Sequence, residues 1–168
     1  MKKVYYFLLL IMIVLGSCKD TDQLKQSEVL TTKKEQAVIK EIKSIMNTTI
    51  KGFNTLNVDS VFKDMNSMSF SRFINNGIIL DNYDSTYMTV KKIYSKIKTL
   101  NVVVSDESYT VLSLNSVLFS ASFKEDLIDN NNRMTSNQGA MTFVFKRIDN
   151  NWKMIHVHQS FFPINQNN

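Results

Sequence analysis

The chain has 168 residues, a single cysteine, and 20 Lys+Arg against 15 Asp+Glu. One cysteine excludes an internal disulfide framework. The lysines are scattered at helical spacing among apolar residues, which excludes the clustered basic patch of a nucleic-acid surface. The length suits one domain with its own core, and no repeat or second domain is expected.

The N-terminus starts with Lys2 and Lys3, followed by an unbroken apolar run from Val4 to Leu15. That run matches a signal-peptide core and is short for a bilayer span. Leu15, Gly16, Ser17 and Cys18 follow, a tetrad that resembles the bacterial lipobox. The resemblance implies cleavage before Cys18 and lipidation of that cysteine, which leaves no thiol for catalysis or for zinc. Several acyl chains on one residue would anchor the chain stably. The implied location is the cell envelope, on the outer membrane rather than the inner. Loss of residues 1–17 leaves 151 residues with 18 Lys+Arg against 15 Asp+Glu, a net charge of +3. Residues 18–31 then form the lipidated cysteine and a polar tether with no apolar period. Its thirteen residues after Cys18 reach at most about 45 Å.

A first helix is expected from Thr32, with Thr32 and Glu35 as a capping box. Its apolar stripe is Val38, Ile42, Ile45, Met46, Thr49, Phe53 and Leu56, weakened locally by Gly52. Asn57 caps a short second helix over 58–65. A hairpin follows, over 68–75 and 78–80, turning on Asn76-Gly77. Asp84 is expected to cap a third helix that runs to about Thr99, with Tyr87, Val90, Ile93, Tyr94 and Ile97 inward. From Leu100 the period switches to two. Four strands are expected, at about 100–112, 116–127, 135–148 and 152–161, and residues 164–168 as a disordered tail. Helices first and long antiparallel strands after make an α+β plan.

Alternation assigns the sheet faces. Val117, Phe119, Ala121, Phe123, Met141, Phe143 and Phe145 share the face that helices cover, with Ile155, Val157, Gln159 and Phe161. Met154, His156, His158 and Ser160 fall on the other face with Thr142 and Val144. The two histidines offer a metal two ligands with no carboxylate at matching parity, too few for zinc. No metal and no cofactor are expected.

The last stretch, "RIDNNWKMIHVHQSFFP", resembles the closing hairpin of the calcium/calmodulin-dependent protein kinase II association domain and related bacterial domains. An acidic turn, a Trp, two His one residue apart and a Ser carry the likeness. The order of helices and strands over residues 32–163 resembles the nuclear transport factor 2-like superfamily, which includes SnoaL-like domains. The resemblance implies a cone-shaped curved antiparallel sheet wrapped around three helices, an α+β roll with a pocket. It also implies homodimers through the outer sheet face, with His156, His158, Ser160, Thr142 and Val144 as interface candidates. In that association domain, arginines on the pocket side of the last two strands bind acidic ligands. Here those positions carry Phe143 and Gln159, which points to a neutral or apolar small molecule.

Some relatives are lyases or isomerases that rely on a pocket Asp or His beside a Tyr. No such pair is expected on the inward face here. The expected function is therefore a membrane-anchored, non-catalytic binding or interaction domain. Its pocket candidates are Phe53, Tyr94, Phe119, Phe143 and Gln159. The alternatives are a SnoaL-like lyase or isomerase acting on a hydrophobic small molecule, and a structural dimer with a vestigial pocket.

Overall fold

The computed structural model describes residues 31–67, 72–80 and 82–164. The signal-peptide and tether positions, Cys18 among them, lie outside the described residues except Thr31. Helix α1 spans Thr32–Asn54 and α2 spans Val58–Phe62. Strands β1 (Arg72–Asn75) and β2 (Ile78–Leu80) form a hairpin, and α3 spans Tyr83–Tyr94. Four long strands complete the chain: β3 (Ile97–Ser113), β4 (Ser116–Asp129), β5 (Met134–Ile148) and β6 (Asn151–Pro163). The sheet order is β2-β1-β6-β5-β4-β3.

The caps sit slightly upstream of their expected positions. Thr31, not Thr32, caps α1, its side chain accepting from the Lys34 amide. Asn82, not Asp84, caps α3 by accepting from the Ser85 amide. Asn57 caps α2 as expected. Helix α3 ends at Tyr94, five residues before the expected Thr99, and Ile97 opens β3 instead. Gly52 is more than a weak point in α1: a Cβ there would lie 3.0 Å from the Val61 backbone nitrogen. The missing side chain lets α2 fold back directly onto α1.

The sheet is mixed rather than wholly antiparallel, because β1 lies parallel to β6 with Phe73 opposite Val157. Register breaks in β3 and β6 bend the strands, since an extra residue on one side of a ladder raises the local twist. Asp106, inside the central break of β3, takes φ 53°. The β5–β6 turn has Asp149 and Asn150 both at positive φ, the geometry whose twist matches two crossing strands. Ile164 still donates to the Ser136 carbonyl, so it is not part of a disordered tail. Residues 165–168 lie outside the described residues.

The concave face holds the core. Phe119, Phe143, Phe145, Val117, Ile42, Met46 and Met154 are its largest fully buried side chains. Each contributes about 1.5–3 kcal/mol of apolar burial. Phe119 stacks on Phe143 with centroids 5.8 Å apart, and Tyr109 tilts against Phe119 at 5.0 Å. Phe62, Tyr83 and Tyr87 join α2 to α3, and the Tyr87 hydroxyl donates to Asp59 at 2.6 Å.

One break in β6 corrects the expected faces. Phe145 pairs with Met154 but Val144 pairs with His156, so Ile155 is the unpaired residue between them. Trp152 and Met154 are therefore buried inward, and the inward set resumes at Val157. Met154 was expected on the outer face and Ile155 on the inner one. His156 and His158 keep the outer face because they lie beyond the break.

Candidate functional site

The inward side chains of β4 and β5 change character along the strands. At one end Phe119, Phe143 and Phe145 fill the cone solidly. Farther along, the same parity passes through the small residues Ala121 and Gly139. Helix α1 ends at Asn54, and Phe53 near its end and Val90, Ile93 and Tyr94 of α3 border the space that remains over the sheet. The result is a cavity of about 440 Å³. Its walls are mainly apolar: Phe53, Val90, Ile93, Phe123, Met141 and Phe161 are among them, with Ile78 and Leu80 from the hairpin. The size suits a small organic molecule.

Six polar side chains break this apolar wall: Thr89, Tyr94, Glu125, Asn137, Gln159 and Asn75. Strand register sets their placement. Glu125 faces Asn137 across β4 and β5, and the Asn137 amide donates to Glu125 Oε1 at 2.7 Å. Asn75 faces Gln159 across β1 and β6. Asn75 Oδ1 is buried without a hydrogen-bond partner among the described residues. A buried acceptor left unpaired costs about 1–3 kcal/mol, so this oxygen is a natural seat for a donor from outside the chain. Burial, and then the charge of Glu125, push the Tyr94 phenol well above its ordinary range. Tyr94 therefore stays protonated and presents a donor. No Lys, Arg or His is among the described residues that line the cavity.

Three of the five expected pocket residues meet here: Phe53, Tyr94 and Gln159. Phe119 and Phe143 do not. They are 0% and 1% exposed and pack on each other in the core beneath the cavity floor. The expectation that no acid stands beside a tyrosine on the inward face is also corrected, because Glu125 opens into the cavity beside Tyr94. Its signal was in the sequence. The alternation Val117, Phe119, Ala121, Phe123 continues without a break to Glu125. On β5 the same parity, followed back from Met141 through Gly139, reaches Asn137.

The histidines lie outside this site. His156 pairs with Arg72 on one side and Val144 on the other, and His158 lies between Ile74 and Thr142. With Ser160 they occupy the convex face. Burial, the charge of His158 and the charge of Arg72 hold the His156 imidazole below its ordinary range. Among the described residues no group of three or more His, Cys, Asp or Glu is placed to hold a metal ion. No helix among them is long and apolar enough to cross a membrane.

The family model described as a SnoaL-like domain matches residues 42–165. The chain belongs to the SnoaL-like family. Solved structures agree on the fold. A nuclear transport factor 2-like superfamily protein from Salmonella enterica serovar Typhimurium is 12% identical with a TM-score of 0.68, covering 79% of this chain and 95% of its own. A hexachlorocyclohexane dehydrochlorinase from Novosphingobium barchaimii is 11% identical with a TM-score of 0.68, covering 81% and 96%. A protein from Xanthomonas campestris, provisionally described as a calcium/calmodulin-dependent protein kinase II association domain, is 17% identical with a TM-score of 0.61, covering 75% and 87%. Likeness at these identities carries the fold and not the activity. No curated protein sequence matches the chain.

Proposed function

We propose that this SnoaL-like domain binds a small, mainly apolar molecule and is held in the cell envelope by a lipid on Cys18. The observation that carries the binding reading is the cavity, whose apolar walls carry polar side chains at two levels, among them Asn75 with a buried oxygen that has no partner among the described residues. A vestigial pocket would be expected to close over such groups or to replace them with apolar ones. The lipobox-like tetrad supports the anchor, with residues 1–17 removed and residues 18–31 as a tether to the outer membrane. The convex face, low in charge at Thr142, Val144 and Ser160, supports a homodimer. The binding test is mass spectrometry of small molecules that stay with the full chain through purification. A single retained species that is lost on filling the cavity from its wall with Val90→Trp supports it. An empty chain whose melting temperature no small apolar molecule raises rejects it.

A second reading is a lyase or isomerase, and one observation favours it. A carboxylate and a protonated phenol share the cavity. Glu125 would take a proton from carbon next to a carbonyl, and Tyr94 would donate to the oxygen on which charge develops. The neighbouring dehydrochlorinase shares only the fold. Turnover of a retained molecule that stops in Glu125→Gln while binding persists would establish this reading over simple binding.

A further inference from the structure

We propose that the cavity selects molecules that carry a protonated amine on an apolar body, with the ammonium seated against Glu125. This rests on the binding reading above and goes further by fixing the charge of the ligand. Glu125 is the only charged side chain among the described residues that line the cavity. Asn137 satisfies one of its oxygens at 2.7 Å. The other, Oε2, makes no hydrogen bond among the described residues. A half-buried carboxylate between apolar walls attracts a cation and repels an anion, and the walls weaken solvent screening of both. An ammonium brings several donors in a small volume, and Glu125 Oε2 is an open acceptor for one of them.

The far end of the cavity points the same way. Gln159 and Asn75 lie on the level of Ala121 and Met141, four strand positions from the level of Glu125 and Asn137. That is about 13 Å of strand. The unpaired atom at this end, Asn75 Oδ1, is again an acceptor. Apolar side chains of Phe123 and Phe161 lie between the two ends. Acceptors at both ends and no cation anywhere in the wall fit an amine whose apolar body reaches toward a second donor. A carboxylate ligand would meet the like charge of Glu125 and no cation to offset it.

The test compares four naphthalene probes of one size: 1-naphthylethylamine, 2-(1-naphthyl)ethanol, 1-naphthylacetate and 1-ethylnaphthalene. Each is titrated calorimetrically at neutral pH into the full chain held in phosphatidylcholine nanodiscs, with empty nanodiscs subtracted. The amine is expected to bind tighter than the alcohol by about tenfold, the scale of one charge-assisted hydrogen bond, and the acid is expected not to bind. In Glu125→Gln, whose side-chain carbonyl can still accept from Asn137, the gap between amine and alcohol should close. An acid that binds as well as the amine overturns the proposal, as does a gap that persists in Glu125→Gln. If that variant does not fold, the wild-type ranking of amine over acid decides alone. Binding of the hydrocarbon without discrimination among the other three rejects the amine assignment and leaves the binding reading standing. Failure of all four, the hydrocarbon included, overturns both.

Discussion

The Trp152 indole N–H donates to Glu41 Oε2 at 2.5 Å, across 111 positions of sequence. The same oxygen accepts from Arg147 Nη2, and the Arg147 guanidinium lies 4.8 Å from the Trp152 ring centroid. One carboxylate on the first helix therefore fastens the closing hairpin to the helical layer. The acidic turn and tryptophan of "RIDNNW" have a mechanical use here: the turn reverses the chain so that Arg147 and Trp152 stand side by side.

Glu41→Ala should remove the acceptor from both groups. Arg147 Nε is already buried without a hydrogen-bond partner among the described residues, so beyond the Trp152 ring the guanidinium loses its anchor. The cost is expected at about 1–2 kcal/mol, since Glu41 is half exposed and water replaces part of the loss. Thermal melting checks this, and Glu41→Gln should recover part of the loss because its carbonyl still accepts. An unchanged melting temperature in the alanine variant would show that water does the same work.

Gly139 should tolerate no side chain. A Cβ would lie 2.0 Å from the Ser160 carbonyl oxygen and 2.8 Å from Phe161 Cα. Both contacts are backbone of the paired strand and cannot rotate away. Gly139→Ala is expected to cost about 3 kcal/mol or more by forcing β5 from β6. Gly52→Ala should cost less. Its clashes are at 3.0 Å and alanine is the better helix former by about 1 kcal/mol. Urea unfolding of the two variants side by side tests the order, and the reverse order would contradict the packing described.

Much of this fold was legible because helical and alternating periods separate cleanly, with a short alternating hairpin before the third helix and a lasting switch read from Leu100. The end of the third helix was not. Tyr87, Val90, Tyr94 and Ile97 keep a helical spacing straight through the boundary, so tertiary pairing with Asp129 decides where the strand starts. The parallel pairing of β1 with β6 joins segments more than eighty residues apart and leaves no local mark. The break at Ile155 is similar, since an extra residue in one strand is defined only against its partner. The cavity was half legible. Inward parity reaches Glu125 and Asn137 directly, but a polar residue near a strand end reads as solvated until the neighbouring helix is known to stop short of it.

Tyr94 gives a pH dependence with a definite sign. Its phenol is raised in the folded state by burial and then by Glu125. Below about pH 10 both folded and unfolded chains keep the proton, and this group leaves stability flat. Above it the unfolded chain ionises first, and stability falls by up to about 1.4 kcal/mol per pH unit until the folded phenol follows. Tyr109, raised by burial and by Glu107, acts in the same sense. Tyr94→Phe should therefore lie within about 0.5 kcal/mol of wild type at neutral pH, since the hydroxyl makes no hydrogen bond among the described residues. Its alkaline slope should be shallower. Equal slopes in urea unfolding near pH 11 would exclude Tyr94 as a source.

The anchor can be tested on the cysteine itself. Cys18→Ser should abolish incorporation of labelled fatty acid and leave the N-terminal segment uncut by a lipoprotein peptidase. Label in the mutant would reject lipidation at this position.

The histidines carry the last prediction. His156, His158, Thr142, Val144 and Ser160 share the convex face, and we expect two copies of the chain to meet there. His156 is held below its ordinary value by partial burial, by His158 and by Arg72. No carboxylate figures among those influences, so the groups that act on it are cationic or neutral. For a base whose folded value is depressed, stability is complete above about pH 6.5 and declines as pH falls through the folded value. Pairing of two such faces would add two further imidazoles and a second arginine to the same patch. Protonation would then set like charges against each other and weaken the dimer. Sedimentation at tens of micromolar, at about pH 7.5 and about pH 5.5, brackets the imidazole range. The expected outcome is a dimer at the higher pH and dissociation at the lower, with His156→Gln/His158→Gln paired at both. A monomer at both values rejects the interface. A dimer equally stable at both would place the contact elsewhere on the molecule, because two abutting histidine pairs beside arginine could not take up protons without cost.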